Sequence, residues 1–366
     1  MSYARPHDEV HLHTDAATAI KNKASCSTII VKDIVVPTGT TPDLTNLTAG
    51  THVLFLGKAT FGYKEWEGPL ISFTGSDLPI ECASGHSIDC QGQRWWDTKG
   101  SNGGKTKPKT SMFSNTPIQA FSINGVTNLG FYGVDLDNSL GDTEGGHNTD
   151  AFDIGSSTGV YISGAIVKYQ DDCLAVNSGT NITFIGRSCS GGHGLSIGSV
   201  GGRSDNVVKS VRILTSKISD SDNGVRIKTI SGVTGSVSDI KYDSIALSDI
   251  AKYGIIIEQD YENGSHTSTR TSGVPITGIY MNNVSGSAKS SGINIFLLCA
   301  SLMQELDMDW KQGHWRQDLQ QVQGYSRRHF FSTRRVRHAG ADGWNRAKLA
   351  FVEQCQMTQI RKMGIS

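Results

Sequence analysis

Between residues 27 and 298 one arrangement of hydrophobic and polar positions keeps returning. A short alternating apolar run begins just after an Asn, Asp or Gly, gives way to a polar turn, and another run follows. Asn128-Leu129-Gly130-Phe131-Tyr132-Gly133-Val134, Gly159-Val160-Tyr161-Ile162-Ser163-Gly164-Ala165 and Asn181-Ile182-Thr183-Phe184-Ile185-Gly186 are copies. Further copies start at Val211, Ile240 and Ile279. An apolar residue at every second position marks a strand with one buried face. The interval from Gly159 to Asn181 is short, and that from Val211 to Ile240 is somewhat longer. Period-2 strands recurring at roughly 20 to 30 residues predict the coils of a parallel β-helix, an all-β solenoid. An antiparallel sandwich has similar strands but brings its hairpin turns closer together. Helical periodicity is confined to residues 14–24, an Ala- and Lys-containing segment that predicts a short helix capping the open end of the solenoid.

After Cys299 the pattern stops. Residues 300–366 hold nine Gln against five in the first 299, three of the six Trp, and runs such as Arg327-Arg328 and Arg334-Arg335. Lys and Arg number 11 there, and Asp and Glu number 6. The chain therefore divides into an atypical N-terminus (1–15), a β-helix catalytic domain (16–299) and a Gln/Arg-rich tail (300–366) expected to stay outside the solenoid. Met303 to Trp310 and Asn345 to Gln354 are helix-compatible but carry no caps. With 366 residues and a formal charge of +0, the chain can bury a large core and projects no overall field toward nucleic acid or membrane. It contains no run of about 20 apolar residues, the length a spanning helix needs. Residues 1–13 lack the apolar core of a secretory signal.

Three strings carry the candidate chemistry: Asn148-Thr149-Asp150, Gln170-Asp171-Asp172 and Gly192-His193-Gly194, followed by Arg226-Ile227-Lys228. Each is bland by itself, since paired Asp in turns are usually solvated and Arg-x-Lys is usually a wet strand face. Their register is not. Asp150 precedes Asp171, and Asp172 precedes His193, by the same interval, and that interval is one short coil. On a solenoid, residues one coil apart stack about 5 Å from each other. Neighbours on a strand point to opposite faces, so Asp171 and Asp172 can both serve one site only if the strand bends between them. Carboxylates brought this close repel, and at least one is then protonated near neutral pH, as a general acid requires. Cleaving a glycosidic bond without a cofactor needs a proton donor on one side and a base on the other, and Arg226 and Lys228, which share a face with one residue between them, suggest that a sugar so cleaved is itself an acid.

The chain resembles the fungal endopolygalacturonases, pectin-degrading glycoside hydrolases. The resemblance spans residues 16–299 and is dense in Gly146-His147-Asn148-Thr149-Asp150-Ala151-Phe152-Asp153, Gln170-Asp171-Asp172-Cys173, Gly191-Gly192-His193-Gly194 and Val225-Arg226-Ile227-Lys228-Thr229. It implies a right-handed parallel β-helix and inverting hydrolysis of α-1,4-galacturonan, internal to the chain, with no cofactor and no metal. By this resemblance Asp171 protonates the leaving oxygen, and Asp150 and Asp172 activate water. His193 tunes the acid, and Asn148, Arg226, Lys228 and Tyr261 bind substrate. It also implies a Cys173–Cys189 disulfide, a monomer, and secretion to the cell exterior. The departures are the missing signal peptide, a stretch between Lys109 and Asn115 about a dozen residues shorter than the family pattern, and the tail. Three breaks leave other readings open: a non-catalytic or misfolded product of a faulty gene model, or a related β-helix enzyme acting on decorated galacturonan. A Ca²⁺-dependent lyase, which cleaves by β-elimination with a basic group, would use the three Asp as a metal cage, but His193 and the Arg-x-Lys pair favour hydrolysis.

Overall fold

The computed structural model describes residues 10–13, 16–73, 76–83, 85–109, 114–262, 264–267, 269–300, 303–312 and 349–351. Within them the chain winds as a right-handed parallel β-helix. A 15-stranded sheet and a 9-stranded sheet face each other across the core. The larger sheet is bent. Its longest strands, Val207–Ser219, Ser236–Ile250 and Ile276–Ala288, pair along their whole length with one another. Val207–Ser219 pairs with Gly179–Ile185 in its first half and with Ser188–Ser190 in its second. The smaller sheet stacks Phe121–Asn124, Phe152–Gly155, Asp172–Val176, Gly194–Val200, Asn223–Ile230, Tyr253–Glu262 and Ile293–Leu298 in chain order.

Period-2 patterning becomes ladders once the coils stack. Leu129, Val160, Ile182, Val211, Ile240 and Ile279 are in register down the large sheet, and all are buried. Phe121, Phe152, Leu174, Leu195, Val225, Ile255 and Ile295 form the matching buried ladder opposite. Phe121 and Phe152 stack with centroids 5.3 Å apart. The Asn, Asp or Gly that precedes each apolar run has a conformational role. Asn128, Asn181, Ser210 and Asp239 have φ of 54°, 55°, 56° and 56°, in the left-handed region, and glycines occupy the equivalent places at 159 and 278. These residues interrupt the pairing at the same point in successive coils, so the chain turns a corner there without losing register.

The expected N-terminal helix is Ala16–Asn22, continued by a 3-10 turn Lys23–Ser25. A strand not expected before it, Val10–His13, pairs parallel with Thr28–Val36, so the sheet begins inside the segment read as an atypical N-terminus. At the other end both sheets continue past Cys299. Met303–Gln312 pairs parallel with Ile276–Ala288, and Leu349–Phe351 pairs parallel with Ile293–Leu298. Met303 to Trp310 had looked helix-compatible, yet Leu306, Met308 and Trp310 alternate, and that short period-2 run takes the register of the strand beside it. Residues 313–348 and 352–366, most of the tail, and residues 110–113 of the shortened stretch lie outside the described residues. No helix among the described residues is long and apolar enough to cross a membrane.

Candidate active site

The outer face of the small sheet presents Ser122, Asp153, Ala175, Ser196, Arg226, Ile256 and Phe296 in one row. The sequence candidates gather along this face. The amide of Ala151 donates to the carbonyl of Asp172 at 2.9 Å, and that of His193 donates to the carbonyl of Asp171 at 3.0 Å. Asp150, the Asp171-Asp172 pair and His193 therefore occupy three successive coils, as their spacing requires. Asp171 stands just before the strand Asp172–Val176, and the pairing of that strand is irregular between Asp172 and Leu174, so regular alternation does not run through this segment. Immediately behind it, Cys173 forms a disulfide with Cys189, Cα atoms 6.1 Å apart, pinning this coil to the next. Gly192 lets His193 come close. Its φ is +60°, and a Cβ there would collide with the carbonyl oxygen of Asp171.

Asp171, 8% exposed, is held at both oxygens. Its Oδ1 accepts from the amide of Asp172 at 2.8 Å and faces Nδ1 of His193 at 2.9 Å, while Oδ2 accepts from Nδ2 of Asn148 at 3.2 Å. Asn148 is itself fixed through its Oδ1 by Ser101, whose amide donates at 3.1 Å and hydroxyl at 3.0 Å. Asp172, 1% exposed, accepts from the hydroxyl of Ser196 at 2.6 Å and from Nζ of Lys228 at 2.8 Å. Lys228 runs over Gly198 to reach it. Arg226 sends Nε and a terminal nitrogen to a single oxygen, Oε1 of Glu258, at 3.0 and 2.8 Å. The ring of Tyr261 lies 5.2 Å from both the Arg226 guanidinium and Lys228 Nζ.

These contacts set the protons. Burial, then the charges of Asp171 and Asp172, push the Asp150 carboxyl well above the usual carboxylate range. Burial also pushes Asp171 up, but the hydrogen bond and charge of His193, with Lys228, outweigh it and hold Asp171 well below that range. His193 is raised: burial disfavours its charge, and the Asp171 hydrogen bond and charge overcome that cost. Lys228 is raised against burial chiefly by Asp172, and Arg226 chiefly by Glu258. Burial and like charge thus favour the neutral form of Asp150, while the His193–Asp171 contact favours the charged forms of both its partners.

The sequence leads one to expect a neutral carboxyl in the trio, and Asp150 has surroundings that favour that form. The two cations are each partnered by a buried acid. Glu258 and Ser196 escaped the sequence reading because their partners lie on neighbouring coils. The available signal was an acid closing an apolar run, Ile255-Ile256-Ile257-Glu258, one coil beyond Lys228. Among the described residues two groups have ligand atoms within 4.8 Å of one another, Asp171/Asp172/His193 and Glu258/Asp260/His266. In both, Lys228, His193, Arg226 or His266 already takes the carboxylate oxygens, so little negative charge is left for a metal ion.

Residues 26–315 match Glycosyl hydrolases family 28. The chain is 68% identical over 301 residues to Endopolygalacturonase 1 of Colletotrichum lindemuthianum, covering 79% of this chain and 83% of that protein. It is 61% identical over 299 residues to a polygalacturonase of Cochliobolus carbonum, covering 78% and 82%. Among solved structures it is similar to endopolygalacturonase I from Stereum purpureum complexed with two galacturonate. The TM-score is 0.70 at 31% identity, over 84% of this chain and 96% of that one.

Proposed function

The chain belongs to glycosyl hydrolases family 28, and from that premise we propose that it hydrolyses α-1,4-galacturonosyl linkages within polygalacturonan, inverting the anomeric centre. The observation that carries this reading is the stacking of three carboxylates and one imidazole on consecutive coils, with two cations beside them on the same open face. Asp171 serves as general acid. Before substrate arrives its proton resides at Nδ1 of His193, hydrogen-bonded to Asp171 Oδ1. An incoming galacturonate is anionic and displaces water, and both changes raise the proton affinity of Asp171, so the proton is delivered through that carboxyl to the glycosidic oxygen. Asp172, and Asp150 once it has given up its proton, act on the opposite side, where water attacks. Asn148 fixes the orientation of Asp171. Arg226, Lys228 and Tyr261 form the sugar-acid subsite, with guanidinium and ammonium donors directed at the carboxylate and the tyrosine ring at its edge.

The reading is tested by following reducing ends released from polygalacturonate in excess chelator. Asp171→Asn should lose at least roughly 10²-fold in kcat, the lower end for removal of a general acid. A galacturonide with an activated leaving group should recover most of that loss in D171N but not in D172N. Recovery in D150N instead would move the acid to Asp150, the carboxyl that burial keeps protonated. Chelator-sensitive release of unsaturated products would overturn hydrolysis altogether.

The proposed catalytic cluster is drawn from one chain, which supports a monomer, checked by sedimentation. The Cys173–Cys189 bridge supports function outside the cell, because such bonds persist in oxidising compartments.

A further inference from the structure

His266 lies outside the constellation described so far. It belongs to the short strand Ser265–His266, which folds back antiparallel on the end of Tyr253–Glu262 and pairs with Tyr261. Every other strand pairing among the described residues is parallel, so this hairpin is a local addition to the solenoid. Nδ1 of His266 lies 2.9 Å from Oε2 of Glu258 and 3.4 Å from Oδ1 of Asp260. The imidazole is 31% exposed, whereas the Glu258 side chain is 1% exposed. Its ring is flanked by Phe296 at 5.2 Å and Tyr253 at 6.1 Å.

Glu258 is the acid that holds Arg226. A carboxylate facing a guanidinium ordinarily spreads two parallel bonds over its two oxygens. Here Oε2 is occupied by His266, and both Arg226 donors converge on Oε1. One carboxylate charge is shared between two cations, and Arg226 keeps more of its positive charge for the cleft.

We propose that His266 is a positioning residue for the acidic sugar: by holding Oε2 of Glu258 it keeps Arg226 in the pose and charge state that receive a galacturonate carboxylate. This rests on the reading of Arg226 as part of the sugar-acid subsite. The device is sensitive to pH because a histidine supplies it. Glu258, Asp260 and Tyr253 face the imidazole from its neighbouring strand, and Phe296 faces it from Ile293–Leu298. Arg226 stands behind Glu258, Lys252 precedes Tyr253, and Glu262 lies across the hairpin from Ser265. The hydrogen bond to Glu258 is the largest influence and raises the proton affinity of His266 against its partial burial. When the pH rises through that raised value the ring loses its charge. Oε2 is then free to turn to Arg226, a full fork forms, and the cleft loses positive charge.

The experiment is KM and kcat for polygalacturonate across the acid-to-neutral range at fixed ionic strength, with wild type, H266A, H266K and R226A compared. Wild-type KM should rise with pH by roughly two- to fivefold, the scale of coupling between partly exposed charges. H266A should show the high KM at every pH. H266K, whose charge does not titrate there, should keep the low KM throughout. In each case kcat should move less than KM, which a loss of folding would not produce. Should H266A not fold, H266Q, which offers a neutral donor, replaces it with the same flat profile expected. If H266A and H266K both follow the wild-type profile while R226A raises KM, the role of His266 is overturned and the subsite reading stands. If R226A binds polygalacturonate as wild type does, both fall.

Discussion

At Asp172 the proposed chemistry and the stability of the fold cannot be separated, because the ammonium beside it would serve both. Lys228 neutralises a carboxylate that is 1% exposed. Lys228→Met should therefore lower kcat as well as substrate binding, and destabilise the fold by about 3 kcal/mol, the cost of stranding one member of a buried pair. Denaturant unfolding beside the kinetics measures both. Asp171, His193, His266 and Asp150 together predict the shape of the pH dependence. The Asp171 carboxyl is depressed, so its contribution is present above the ordinary carboxylate range and is lost only as pH falls through its low folded value. His193 and His266 are raised, so theirs is complete below the ordinary imidazole value and is lost as pH rises through the folded one. Asp150 is also raised, so its buried neutral form loses ground as pH climbs from the ordinary carboxylate value toward its own. Three of these groups weaken the fold on the alkaline side, and Asp171 spares the acid side. Thermal unfolding should show maximum stability in mildly acidic solution, and His193→Gln should flatten part of the alkaline decline. At this scale the sequence was legible where the candidate residues repeat with the coil, at Asp150, Asp171, Asp172 and His193. It was silent at Glu258, 32 residues from Arg226, since nothing local to either residue announces the other.

Among the elements, the corners explain why the apolar runs so often follow Asn, Asp or Gly. A left-handed residue stands at each restart, and these side chains tolerate that region better than others do. Asn128 is exposed there with φ 54°. Asn128→Val should cost about 1–2 kcal/mol through backbone strain alone, while Asn128→Gly should be close to neutral. Urea midpoints of the two variants distinguish strain from lost contacts. The end strands were the hardest elements to read. Val10–His13 is brief and Met303–Gln312 lies past the end of the repeating pattern, and their neighbours in the sheet, rather than their own composition, decide their state. Removing residues 303–366 takes away the parallel partners of Ile276–Ala288 and Ile293–Leu298. The shortened protein should be recovered in a smaller soluble fraction than the full chain, because two strand edges are opened at once.

For the molecule as a whole, a solenoid is stabilised coil against coil, so its ends open before its middle. Asp150 to Glu258 lie on central coils, while the tryptophans are at positions 66, 95, 96, 310, 315 and 344, none of them in between. On gradual heating, tryptophan emission should change before hydrolysis of polygalacturonate is lost, and coincident curves would show that the molecule melts as one unit. The left-handed corners carry a consequence for descent. The stretch from Asp239 to Gly278 is nearly twice as long as that from Gly159 to Asn181, yet all four residues stand in one stack. Extra chain has therefore been admitted only away from the corners, and in two such excursions it flanks the small sheet, one carrying Asn148 and the other His266. Adding residues at those places costs little more than loop closure, which grows slowly with length. A lineage built on this frame can acquire new sugar preferences by lengthening and trimming these excursions while leaving every corner untouched.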